Sequence, residues 1–197
     1  MTQDYQPSLL SDADLRAADL SSVYNHRAQS PLSLAELEGW KGRVADYQQR
    51  LRSEPRESQG SLFEQVSSVA AVDTIDPFSL PPQNAEFWRE HPQGAGVPAL
   101  YFVVDHAVPL LLYVGETVNS NQRWQGVHDC KGYILSYVEA HRQHQLTVTV
   151  NIGFWPYAEQ DRRSRQALES ALIRHWRSPF NKENWNLWKT PFVAGKP

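Results

Sequence analysis

Apolar residues recur at three- and four-residue steps over Leu34, Leu37, Trp40, Val44, Tyr47 and Leu51, which predicts a helix with one apolar stripe. Pro31 precedes it, and Ser33 with Glu36 has the spacing of a capping box. Ser11 and Asp14 resemble a second box, opening a short helix over Asp12–Tyr24. Further on the period changes. Ala99–Val104 and Leu110–Val114 are short runs of β-branched and aromatic residues around a turn-prone Asp105–Pro109. They predict a β-hairpin. Asn119–Gln125 begins a helix that Gly126 interrupts, and Tyr133–His144 continues helically. Leu146–Trp155 alternates and predicts a third strand. Ala158–Arg177 is amphipathic, with Leu168, Leu172 and Trp176 on one face and Pro179 beyond its end. Three stretches follow from these patterns: a helical N-terminal extension over 1–58, a linker or packing segment over 59–96, and an α+β domain over 97–197. In the middle stretch Pro77, Pro81, Pro82 and Pro92 oppose long helices, leaving room for one turn at Glu86–His91. Phe78, Phe87 and Trp88 are expected to pack this segment over the domain that follows.

The chain has 197 residues, 41% of them hydrophobic and 21% charged, a globular composition long enough for a sizeable core. No apolar run reaches the length of a membrane span, and no basic-then-apolar leader opens the chain, so no membrane partner is expected. The single cysteine, Cys130, excludes an internal disulfide and a cysteine zinc site. A cytoplasmic location is the default expectation. Charge divides unevenly. Residues 1–95 hold 8 Lys/Arg against 14 Asp/Glu, a balance of −6, and residues 96–197 hold 11 against 8, a balance of +3. A basic C-terminal half points to a polyanion partner, although a solvated surface also explains it.

The chemistry-bearing residues lie in that half. Tyr101 and Tyr113 sit on the two hairpin strands, and Gly115 falls where the backbone must turn or be closely approached. Arg123 and His128 follow, then Glu169 in the last long helix and Asn181 after Ser178-Pro179-Phe180. A strand tyrosine, a Tyr-Val-Gly strand, an Arg, a His, a helical Glu and a later Asn in this order resemble the GIY-YIG nuclease family. The resemblance covers about residues 97–185. Ala99 stands where the family pattern has glycine. It implies a small three-stranded antiparallel sheet flanked by helices, and a metal-dependent DNA endonuclease working in repair or on branched or damaged DNA.

Hydrolysis of a phosphodiester needs a deprotonated water, charge neutralisation and help for the leaving oxygen, much of which a divalent metal supplies. Mg²⁺ or Mn²⁺ is therefore the expected cofactor. One carboxylate suffices when substrate and water complete the shell, and Glu169 is the metal ligand by this reading. Tyr101 is assigned as general base with Tyr113 orienting it, a cation nearby favouring the phenolate. Arg123 suits bidentate phosphate binding, His128 an accessory acid or phosphate contact, and Asn181 a brace for the site or for the Glu169 helix end. Four of these have a plainer role: packing for Tyr101 and Tyr113, a surface position for Arg123, and an exposed helix glutamate for Glu169.

Gln59, Leu62 and Phe63 in QGSLF resemble the sliding-clamp-binding peptide of bacterial replication proteins, with Gly60 where that peptide often has Leu. The alternative is that Leu62 and Phe63 anchor the linker on the chain's own core. The other histidines, His141 and His144 included, form no metal pattern and read as surface residues. Trp185 and Trp188 suit either base stacking or locking of the C-terminal tail. The competing functions are a restriction or homing endonuclease, for which the acidic N-terminal half offers no basic recognition helix, and a catalytically inactive nucleic-acid-binding module.

Overall fold

The computed structural model describes residues 32–53, 72–83, 97–120 and 129–193. The helix expected over Asp12–Tyr24, the turn at Glu86–His91, the peptide Gln59–Phe63, and Arg123 and His128 lie outside them. Three strands, β1 (Ala99–Asp105), β2 (Leu110–Thr117) and β3 (Val150–Trp155), form an antiparallel sheet in the order β2-β1-β3. Helices α1 (Leu34–Ser53), α2 (Asp129–Gln143) and α3 (Arg162–Trp176) flank it, and a short α4 (Trp185–Trp188) follows a 3₁₀ turn at Lys182–Asn184. This is the α+β class and sheet type expected from the sequence. No helix among the described residues is long and apolar enough to cross a membrane.

β1 is buried along its whole length because both faces of the sheet are covered. On one face Tyr101, Val103, Leu110 and Leu112 pack with Trp40 and Val44 of α1 and with Ile134 and Tyr137 of α2. On the other, Leu100, Phe102, Val104, Leu111 and Val114 meet Leu168, Leu172 and Trp176 of α3. Phe78 adds an edge-on contact to Trp176 at 5.6 Å, so the segment 72–83 does pack over the sheet. Helix α1 thus shares the core of the strands instead of forming a separate layer. Each fully buried apolar side chain contributes about 1.5–3 kcal/mol.

A β-bulge shapes the sheet. Val103 pairs with Tyr113 but Val104 pairs with Leu111, so Leu112 is the extra residue. Leu112 and Tyr113 consequently join the same core face, while Leu111 and Val114 join the other. The ladder-free edge of β2 is closed by two side-chain amides and one backbone N–H. The Gln48 amide accepts from Leu111 N (2.8 Å) and donates to Leu111 O (3.0 Å) and Trp176 O (3.1 Å). Phe180 N donates to Leu112 O (2.9 Å). The Asn181 amide accepts from Val114 N (3.0 Å) and donates to Val114 O (2.8 Å). Two side-chain amides thus stand in for a fourth strand and block edge pairing.

The capping box forms as expected: Ser33 N donates to Glu36 Oε2 (2.9 Å) and Glu36 N to Ser33 Oγ (3.3 Å). The histidine reading needs correction. His141 is fully buried, not a surface residue. Its Nδ1 lies 2.7 Å from Tyr137 O, an acceptor only, so Nδ1 carries the proton and Nε2 accepts from Lys41 Nζ at 2.7 Å. Lys41 also faces Asp105 Oδ2 at 3.5 Å. The same oxygen accepts from the Tyr137 hydroxyl (2.8 Å), while Asp105 Oδ1 takes the amides of Ala107 and Thr149. These groups can be buried because each polar one has a partner.

The cluster has a pH signature. Burial holds the His141 imidazole below its usual pKa, the nearby Lys41 and His144 adding to this while the Tyr137 carbonyl and Asp105 oppose it. A histidine with a depressed folded pKa stabilises fully above its unfolded value, about 6.5, and loses that contribution as pH falls toward the folded value. Urea unfolding should therefore show stability dropping below about pH 6.5, and His141→Gln should flatten that part of the profile.

Candidate active site

The hairpin places the two tyrosines together. Tyr101 on β1 pairs with Gly115, and Tyr113 sits diagonally across the ladder, its ring 5.9 Å from that of Tyr101 with planes 27° apart. Gly115 does not end the strand, which runs on to Thr117. Its role is close approach. The Tyr101 ring lies over it, and a Cβ at position 115 would collide with the ring's Cζ and hydroxyl oxygen and come within 2.8 Å of Cε1. Tyr101 is 0% exposed, whereas Tyr113 is half-buried at the pocket described below.

Helix α3 starts at Arg162, later than the expected Ala158, because Asp161 caps it. Its Oδ2 accepts from Ser164 N at 2.8 Å and from Ser164 Oγ at 2.9 Å. Arg165 in the first turn is 1% exposed and ties the helix to β2: Nε donates to Glu116 Oε2 at 2.7 Å, and Nη1 to the carbonyls of Glu159 (2.9 Å) and Gln160 (3.2 Å). Glu169 is one turn further along the same side, half-buried. The helix ends at Trp176 with Arg177 in the left-handed conformation (φ 48°).

Residues 177–184 then fold back onto β2. Besides its two bonds to Val114, Asn181 accepts from Ser178 Oγ at 2.6 Å, and Asn184 Nδ2 donates to Ser178 O at 3.1 Å. Asn181 therefore fixes the backbone between Tyr113 and Gly115. The indole N–H groups of Trp185 and Trp188 donate to Phe180 O (3.1 Å) and Arg177 O (2.6 Å), so these tryptophans lock the tail.

These elements enclose an open pocket of about 230 Å³. Tyr113, Glu169 and Asn181 line it, Ile173 and Phe180 are apolar walls, and Cys130 and Tyr133 face it from α2. Lys182 and Glu183, both exposed, form part of its lining. Tyr101 is not among the lining residues but stands directly behind Tyr113. Three residues from three elements thus converge, and Tyr101 supports one of them. Arg123 and His128 lie outside the described residues.

The donor set suits a hard cation in one mode. Among the described residues there is no group of three or more His, Cys, Asp or Glu positioned to hold a metal. Glu169 is half-buried at an open pocket with Glu183 also on its lining, so the remaining ligands would be substrate oxygens and water, as Mg²⁺ tolerates. Spacing gave no signal for Arg165 or Gln48, whose partners Glu116, Leu111 and Trp176 are distant in the chain, nor for Lys182 on the pocket lining. No known protein family, curated protein or solved structure matches this chain.

Proposed function

We propose that this chain is a divalent-metal-dependent endonuclease of the GIY-YIG type that hydrolyses phosphodiester bonds in DNA, in repair or in processing branched DNA. The observation that carries this reading is the convergence of Tyr113, Glu169 and Asn181, chosen by motif order, on one pocket. Glu169 would hold the cation, which supplies Lewis acidity toward the phosphate when bound. Lys182, on the same pocket, offers a point charge to the phosphate. The Tyr113 oxygen, as its phenolate, would take the proton of the attacking water and become the hydroxyl; an ordinary tyrosine pKa near 10 calls for cations nearby to favour that phenolate. Asn181 holds the β2 backbone that carries Tyr113. Recruitment by a sliding clamp through Gln59, Leu62 and Phe63 rests on sequence alone and adds nothing to the pocket's chemistry.

This reverses the expected division of labour, in which Tyr101 is the base and Tyr113 orients it. A base must touch its water, and Tyr113 lines the pocket while Tyr101 is fully buried behind it. In single-turnover cleavage of duplex or branched DNA, Tyr113→Phe should lose about 10²–10⁴-fold in rate, the usual effect of removing a general base. Tyr101→Phe should lose clearly less. The opposite order would return the base to Tyr101, and wild-type rates in both would remove the tyrosines from the mechanism.

A further inference from the structure

The C-terminal half owes its positive balance to one segment. Residues 162–177 hold five arginines and one glutamate, +4, so the rest of 96–197 carries −1. Arg165 is buried in its pair with Glu116, and Arg162, Arg163, Arg174 and Arg177 are exposed. Arg163, Ala167, Ser170 and Arg174 stand at i, i+4, i+7 and i+11, one row along α3, and all four are exposed. Ser170 in the middle of that row lines the pocket beside Glu169. The row therefore has a cation on either side of the pocket. At 1.5 Å per residue, Ser170 is about 10 Å from Arg163 and about 6 Å from Arg174 along the axis. Between the cations stand only small side chains, Ala167 and Ser170, which let a backbone approach the helix closely.

We infer that the exposed row Arg163–Ala167–Ser170–Arg174 is the track on which the phosphate backbone of duplex DNA lies across the pocket. This rests on the nuclease reading for its substrate class and adds the surface and direction of binding. The roughly 16 Å between Arg163 and Arg174 exceeds the separation of neighbouring phosphates on one strand, so the two arginines reach different phosphates of that backbone. The scissile phosphate would then fall between the two contacts, against Glu169, with Lys182 contributing from elsewhere on the pocket lining. The charge favours a polyanion over an acidic peptide because the cations are spaced along a straight helix with no apolar anchor between them.

The test is anisotropy of a fluorescent 20-base-pair duplex with EDTA present, so that binding is read without cleavage. Arg163→Gln/Arg174→Gln should weaken binding about tenfold or more and lower the slope of log K against log salt by about 1.8, two phosphate contacts at 0.9 each. The control Arg43→Gln/Arg142→Gln removes two exposed charges from α1 and α2 and should change both far less. Both pairs are exposed, so near-UV circular dichroism and the melting temperature should stay at wild type. In cleavage assays the α3 variant should raise KM and leave kcat within a few-fold. Equal weakening by both pairs, or no weakening by the α3 pair, overturns the track. If wild type binds the duplex through α3 but cuts no DNA under any divalent cation, the track stands and the nuclease reading falls. Stronger binding to single-stranded RNA or to an acidic peptide than to the duplex would assign the row to another partner and overturn it.

Discussion

Glu169→Gln is expected to lose Mg²⁺- or Mn²⁺-dependent DNA cleavage by about 10³-fold or more while keeping the fold. The side chain is half-buried at the pocket, and no described carboxylate besides Glu183 lines that space. Glu183 is exposed on the 3₁₀ turn and is not anchored by the bonds that hold Asn181 and Ser178. Losing the fixed carboxylate removes several kcal/mol of charge stabilisation at the phosphate, and each 1.36 kcal/mol is tenfold in rate. Glutamine keeps the shape and polarity, so melting temperature should change little. Rates within tenfold of wild type at saturating cation would remove Glu169 from the site.

The second large effect concerns stability. Asp105→Ala should destabilise the chain by about 3–5 kcal/mol, the range for breaking a buried ion pair by removing one partner. Asp105 is 0% exposed and accepts from Tyr137, Ala107 and Thr149 while facing Lys41. Alanine would strand the Lys41 charge without its carboxylate and leave the Thr149 and Ala107 amides without that partner. Burial already lowers the Lys41 pKa, with Asp105 and then Glu38 opposing the shift, so losing Asp105 removes the main group that favours the charged lysine. At about 2–4 °C per kcal/mol for a chain of this size, the melting temperature should fall by roughly 6–20 °C. Lys41→Met/Asp105→Ala should recover part of the loss, since the stranded charge is then gone. A double variant no more stable than Asp105→Ala would show that the charge is not the cause.

Spacing along the chain was enough to read the stripe of α1, the capping box, the hairpin and the third strand. Leu37, Trp40 and Val44 announce a buried face because helical packing repeats locally. The same helix hides its polar anchors. Lys41 and Gln48 look like ordinary polar-face residues, and what buries them stands 100 residues away at His141 and 63 and 128 away at Leu111 and Trp176. No local period encodes such partners. His141 was misread for the same reason: its burial depends on Lys41 and Asp105, from two other elements. Element boundaries moved where side chains override propensity, as at Asp161, whose cap starts α3 four residues later than Ala158. The bulge at Leu112 was equally invisible, yet it is what lets Leu112 and Tyr113 share one face. Motif order singled out Tyr113, Glu169 and Asn181 as candidates, but it could not say that Tyr113 faces the pocket while Tyr101 stands behind it.

The most direct measurement is cleavage of supercoiled plasmid and a synthetic branched duplex by the purified chain, in Mg²⁺, in Mn²⁺ and in EDTA, with Glu169→Gln run beside it. Nicked or linear products should appear with either cation, vanish in EDTA and be missing from the variant. Intact DNA under all conditions, or products that persist in EDTA or in Glu169→Gln, would contradict the nuclease reading.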